Sequence, residues 1–258
     1  MKRLMAASDH FFSGRVSLSR AKRPASALRA SGHRSRVQEV LYGSASPLYD
    51  VFVRWAFWPL GGEAACRREF ARWLAVEPGQ TIASLCCGTG TTDRALLAYE
   101  PSVAITGLDL GRAQLARARE KDRAEQIDYR LGNAAASGLP SEDFDRVLIV
   151  GALQEMPRAH RLAVLREARR LCRPDGRVLA VEIGRTETRW SSICRSAWLL
   201  HWVPGNPEAA TTRELIASSL HDEMQAVGLV PIERNTTRPD WFEGILARRG
   251  DLSGDSEA

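Results

Sequence analysis

Between Thr81 and Asp109 the chain reads T-I-A-S-L-C-C-G-T-G-T-T, then a helical stretch, then V-A-I-T-G-L-D-L. Gly88 and Gly90 lack a Cβ, so the backbone there can bend sharply and a ligand can lie against it. Asp109 closes the second apolar run, where a carboxylate can accept both hydrogen bonds of a vicinal diol such as a ribose. A glycine bend facing an acid therefore describes a pocket for a nucleoside with a charged tail. The spacing excludes two commoner nucleotide loops. The dinucleotide fingerprint G-x-G-x-x-G would fall on Cys86, Gly88 and Thr91, and no G-K-[ST] sequence ends the bend.

The run L-C-C-G-T-G resembles the first motif of class I S-adenosylmethionine-dependent methyltransferases, whose familiar form is an acid, an apolar residue and G-x-G-x-G. Ser84 stands at the place of the acid and Cys86 at that of the first glycine. The resemblance implies that Ser84 removes a carboxylate that helps hold the cofactor's methionine amine through solvent. Cys86 is small enough for its place if its φ is negative. The family's G-D-A turn appears as Gly132-Asn133-Ala134, where the Asn133 side chain is expected on an adenine edge. Phe144-Asp-Arg-Val-Leu-Ile-Val150 is a nearly continuous apolar run, the pattern of a strand buried on both faces. Leu171-Cys-Arg-Pro-Asp-Gly-Arg resembles the family's L-K-P-G-G block, with Pro174 and Gly176 stopping a helix and turning the chain into a strand.

Further features are similar to the ubiquinone and menaquinone C-methyltransferase branch. They are Tyr49-Asp50 ahead of the core and the ending A-V-G-L…N-T-T-R-P-D-W-F-E-G-I-L-A. Where that branch carries an Arg-Asn pair after the fourth strand, this chain has Gln154-Glu155. The resemblance runs from about Ser46 to Arg249 and implies S-adenosylmethionine as cofactor. It places Tyr49, Cys86, Cys87, Gly88, Thr89, Gly90, Asp109, Leu110, Asn133, Ala134 and Val150 around that cofactor. The acceptor it implies is small and hydrophobic or aromatic, a quinol being one option. Two other readings stay open: N-methylation of a lipid or amine, and a cofactor-binding or scaffold protein without turnover, which Ser84, Cys86 and Asn133 would suit.

Methyl transfer from a sulfonium needs alignment above all, and a base only if the acceptor must lose a proton. Glu155, just past the fourth strand, is the best-placed candidate; Tyr49, His201 and His160 follow. No metal is expected: Cys86 and Cys87 are adjacent, no His lies near them in sequence, and none of the five cysteines forms a C-x-x-C. The odd cysteine count argues for reduced thiols and a cytoplasmic setting.

The elements that must position these groups follow from periodicity. Apolar runs predict strands near 81–85, 103–108, 127–131, 145–150 and 177–183, with helices between them. A last helix near 212–227 and strands near 229–234 and 242–247 follow. Alternating strands and helices mean βαβ units, hence an α/β fold with a mostly parallel sheet covered on both faces. The resemblance makes this a seven-stranded Rossmann-like sheet in the order 3-2-1-4-5-7-6, with an N-terminal helical lid.

Within the methyltransferase domain expected over 36–250, residues 36–77 form the lid, 78–184 the cofactor core, 185–210 a substrate-lid insertion, and 211–250 the C-terminal helix and strands. The aromatics Trp55, Phe57, Trp58 and Trp73 either pack the lid on the core or face a membrane. Trp190, Trp198, His201 and Trp202 in the insertion suit a flat or lipophilic substrate, or simply close over the core.

Charge is uneven. Residues 1–40 hold nine Lys or Arg against Asp9 and Glu39, a balance of +7, whereas the whole chain is +5. The region beyond is thus slightly acidic, which argues against a nucleic-acid substrate. Residues 1–35 are read as a basic leader without packed structure, either a bacterial leader or an organellar transit peptide, and 251–258 as a disordered tail. No run of about twenty apolar residues occurs, so no transmembrane segment is expected, although peripheral membrane contact is compatible with the lid.

Overall fold

The structure is a computed structural model that describes residues 57–184 and 208–250. Tyr49, Trp55, Trp190, Trp198, His201, Trp202, the leader, the first part of the lid, most of the insertion and the tail lie outside the described residues. The strands are β1 (Thr81–Leu85), β2 (Ala104–Asp109), β3 (Ile127–Leu131), β4 (Phe144–Val150), β5 (Cys172–Ile183), β6 (Leu229–Thr236) and β7 (Phe242–Arg249). The helices are α1 (Glu63–Leu74), α2 (Thr91–Tyr99), α3 (Arg112–Lys121), α4 (Arg158–Leu171), α5 (Glu208–Ser218) and α6 (Leu220–Gln225).

The strands form one sheet in the order β3-β2-β1-β4-β5-β7-β6. β1 to β5 pair in parallel, and β7 runs antiparallel to both β5 and β6. Successive side chains of a strand point to opposite faces, which splits the core into two layers. Ala83, Leu85, Val147 and Ile149 pack beneath α4, α5 and α6, against Leu165, Leu171, Leu215 and Met224. Ile82, Ile105, Tyr129 and Leu148 face α1, α2 and α3, against Phe70, Leu74, Leu96 and Leu115. The central strands are apolar along their length because both faces are covered.

The chain moves outward from β1 to β3 and then returns to β4 on the other side of β1. The carboxyl ends of β1 and β4 therefore flank the point where the strand order reverses, the usual ligand crevice of an open α/β sheet. Polar side chains lock the opposite end. Asp145 Oδ2 accepts from the Thr81 amide and hydroxyl, both at 2.8 Å, and Arg173 pairs with Asp145. Arg146, buried on β4, donates to the carbonyls of Leu74 and Ala75 and so satisfies the C-terminus of α1.

Three boundaries differ from the periodicity. β5 begins at Cys172, directly after α4, and its pairing with β4 jumps from Phe144↔Cys172 to Arg146↔Arg177. Arg173 to Gly176, expected as a turn, is thus an irregularity within the strand. The single helix expected over 212–227 is two helices broken at Ser219, whose φ is 67°. In the lid segment, Trp58–Leu60 is a 3-10 turn and α1 begins at Glu63. Of its aromatics, Phe57 stacks on Phe242 with centroids 5.6 Å apart and Trp73 meets Phe70 at 5.2 Å, whereas Trp58 is exposed.

Candidate active site

The bend after β1 is shaped by backbone that only some residues tolerate. Gly88 has φ 56° and Gly90 has φ 66°, both left-handed. A Cβ on Gly88 would meet nothing within 4 Å, so the bend is open on that side. Gly151, at the end of β4, also has positive φ and open space beside it. Gly90 is different: a Cβ there would collide with the Tyr129 hydroxyl and sit 3.2 Å from Ala118. This glycine lets α2 start directly over the sheet.

Cys86 corrects an expectation. Its φ is +57°, not negative, so a side chain occupies a left-handed position that a glycine would take without strain. Cys87 donates its amide to Leu108 O and accepts from the Gly90 amide, which ties the bend to β2 and to itself. Thr89 lies within hydrogen-bonding distance of Thr91, and its carbonyl accepts from Arg94.

Asp109 does more than await a ligand. Oδ2 accepts from the Gly88 amide at 2.9 Å and Oδ1 from the Gly111 amide at 2.7 Å. A carboxylate offers about four acceptor positions, the number on which a diol could draw. The same acid therefore fixes the bend and faces the crevice. Leu110 beside it is one of few exposed large apolar side chains, 43% accessible. The Gly132 amide binds Asp109 O, which brings the Asn133-Ala134 turn to this rim. Asn133 Oδ1 accepts from the Ala135 amide, so the side chain is committed to its own turn, and Ala134 is buried.

Across the crevice, β4 ends at the half-buried Val150 and passes through Gly151 into a 3-10 turn, Leu153–Glu155. Glu155 is half-buried on this turn, whereas His160 is exposed on α4. A residue missed by sequence reasoning holds the turn. Glu182, fully buried near the end of β5, accepts from the amides of Ala152 (3.0 Å), Leu153 (2.8 Å) and Gln154 (3.3 Å). Burial pushes its pKa up to about 7, against the lowering effect of those amides and of Arg161. At the far end of the turn, the fully buried Arg161 donates to Met156 O at 2.7 Å. It also binds both oxygens of Glu223 on α6 and one of Glu214 on α5.

Asp93, on the first turn of α2, is likewise fully buried. The Ser84 hydroxyl and the Arg94 and Arg67 charges favour its ionised form, yet neither oxygen has a partner in hydrogen-bonding geometry. Desolvation dominates and raises its pKa to about 6. The Tyr129 hydroxyl beneath the bend is also buried without a partner. Burial pushes the Cys87 thiol upward, so it stays protonated. Among the described residues, no three His, Cys, Asp or Glu gather as metal ligands, and no helix is long and apolar enough to cross a membrane.

The bend, Asp109, the Asn133-Ala134 turn and the Val150–Glu155 segment thus share the carboxyl edge of the sheet. Residues 82–176 match the family described as a methyltransferase domain. The chain is 37% identical over 124 residues to a demethylmenaquinone methyltransferase of Bacillus cytotoxicus, covering 46% of this chain and 51% of that protein. It is 32% identical over 171 residues to a 2-phytyl-1,4-naphtoquinone methyltransferase of Thermosynechococcus vestitus, covering 64% of this chain and 72% of that protein. The chain belongs to the class I S-adenosylmethionine-dependent methyltransferases.

In this methyltransferase the altered first motif is therefore a departure within the family, not evidence for another fold. Several curated relatives are matched over only about half of their length. Among solved structures, magnesium protoporphyrin IX methyltransferase of Synechocystis, with bound SAH, shares the fold. Its TM-score is 0.59 at 14% identity, covering 83% of this chain and 99% of that one.

Proposed function

We propose that this chain transfers the methyl group of S-adenosylmethionine to a small lipophilic acceptor of the quinol type. The observation that carries the reading is the Gly88 amide held 2.9 Å from Asp109 Oδ2 at the strand-order reversal. It joins an open bend to an acid at the end of β2. The residues present fit the cofactor. Open space over Gly88 leaves room for its methionine end, Asp109 offers acceptors for ribose hydroxyls, and exposed Leu110 offers an apolar surface for adenine. When bound, the cofactor supplies a methyl group already activated by its positive sulfur.

The protein's own task is alignment. Cys86, Cys87, Gly88, Thr89 and Gly90 shape the floor, and Asn133, Ala134 and Val150 the walls. Glu155 is proposed as the base that takes a proton from a hydroxylated acceptor, held on the turn that faces the bend. Tyr49 and His201, which lie outside the described residues, are proposed as weaker candidates for the same base role. The quinone-modifying names of the sequence relatives support the acceptor class. A cytoplasmic setting is proposed for the reaction on the free thiols of Cys66, Cys86, Cys87 and Cys172.

A second reading, cofactor binding without turnover, draws on Ser84, the strained Cys86 and the committed Asn133 side chain. Calorimetry with S-adenosylmethionine, followed by turnover on 1,4-naphthoquinol, separates the two. The first reading expects binding and methyl consumption. Asp109→Ala should weaken binding at least tenfold, about 1.4 kcal/mol. Unchanged affinity in that variant would remove the proposed pocket.

A further inference from the structure

We propose that Glu182 is a positioning residue: through three backbone amides it holds the Ala152–Glu155 turn, and with it Glu155, at the distance the acceptor requires. The proposal rests on the function proposed above for the meaning of that turn, but its geometry stands alone. A 3-10 turn of three residues has little cooperative stability of its own. It leaves amides at its start that need acceptors. Here one carboxylate satisfies three successive N–H groups, those of Ala152, Leu153 and Gln154. Arg161 takes the carbonyl of Met156 at the other end, so the turn is gripped on both sides.

The arrangement is costly for a purely structural device. Glu182 is fully buried, and a neutral residue of similar shape would avoid the desolvation of a charge. An acidic side chain here gives stronger and shorter bonds to amides than a neutral acceptor does. It also makes the grip depend on protonation. The groups around Glu182 are the three amides, Arg161 from α4, and Glu243, its register partner on β7. Glu243 is itself neutralised by Arg234. Arg161 is largely matched by Glu223 and Glu214, so it does not hold the Glu182 proton off completely. With its pKa near 7, Glu182 passes from neutral to charged across ordinary working pH. The turn should tighten as pH rises and loosen as it falls.

Backbone hydrogen exchange of the full chain, read by NMR, reports the grip without any turnover. In the parent, protection of the Ala152, Leu153 and Gln154 amides, corrected for intrinsic rates, should rise about tenfold between pH 6 and pH 8. In Glu182→Gln it should be low at both and flat between them. Equal protection in parent and variant at pH 8 would overturn the proposal.

Two further readings of Glu182→Gln separate positioning from mere support. Its melting temperature at pH 8 should match or exceed the parent's, because a buried charge has been removed. With S-adenosylmethionine and 1,4-naphthoquinol, kcat should drop at least tenfold while cofactor affinity stays within twofold. A variant that melts early and loses cofactor affinity to the same degree would mark Glu182 as structural only. If the parent itself neither binds nor consumes S-adenosylmethionine, the functional reading fails, while the exchange data still judge the grip.

Discussion

Replacing Asp93 with asparagine removes a charge that is held away from water without a hydrogen-bonding partner. The folded state binds this proton more tightly than the unfolded chain does, since the pKa rises from 3.8 to about 6. Stability from this group is therefore lost as pH climbs through about 6. Asp93→Asn should gain about 1–3 kcal/mol at pH 8 and almost nothing at pH 4, measured by urea unfolding. Equal effects at both pH values would show that packing, not charge, decides. Cys86 offers a second test at this scale. Its left-handed backbone should relax in Cys86→Gly, stabilising the fold by about 0.5–1 kcal/mol. A loss of stability would mean that the cysteine side chain contributes packing that outweighs its strain. Neither residue announced itself in sequence. Cys86 looked acceptable by size alone, because side-chain volume carries no information about φ. Asp93 read as an ordinary acid in a first helical turn, because the sheet it faces lies 36 residues of chain away at Tyr129 as well as close by at Ser84.

Between residue and molecule stand the helices that hold the acceptor side. Arg161 joins α4 to α5, α6 and the turn after β4, with both partners' charges largely out of solvent at Glu223. Arg161→Met should cost about 3–5 kcal/mol, because Glu223 is left buried and unpaired, and Arg161→Met with Glu223→Leu should recover most of it. Thermal melts of the two variants and the parent decide this; a double variant no better than the single one would place the loss in packing. Elements of this kind were legible to different degrees. The strands were readable because small and apolar residues fill Ile82–Leu85 in β1 and Val147 to Val150 run unbroken in β4, a pattern that two-sided burial explains. The glycine bend and Asp109 were readable because their chemistry is local in sequence. The grip of Glu182 on Ala152 was not, since it joins residues 30 positions apart through backbone amides that have no signature of their own. The break at Ser219 was hidden for a different reason: neither Gly nor Pro marks it, and a φ of 67° is one that serine rarely adopts.

For the molecule as a whole, two pairs of acids pull its pH dependence in opposite directions. Asp145 and Glu167 accept hydrogen bonds that hold their pKa values below the usual range, so their contribution is present at neutrality and lost as acid protonates them. Asp93 and Glu182 are raised to about 6 and about 7, so theirs is lost as pH rises. From these four groups, unfolding free energy should therefore peak at about pH 4–5, fall until about pH 7 and level off above it. No fall between pH 5 and pH 7 would mean that the two buried acids are relieved by other groups. The antiparallel β7 adds a consequence for synthesis. It wedges between β5 and β6, and its Gly244 lies so close to α1 that an added Cβ would come within 2.5 Å of the Trp73 ring. The earliest helix of the described core thus packs against a strand made well over a hundred residues after it. Until that strand emerges, β5 presents a raw hydrogen-bonding edge and α1 leaves Phe70 and Trp73 uncovered on the β7 side, so a nascent chain halted before Trp241 should be a chaperone client rather than a smaller working enzyme.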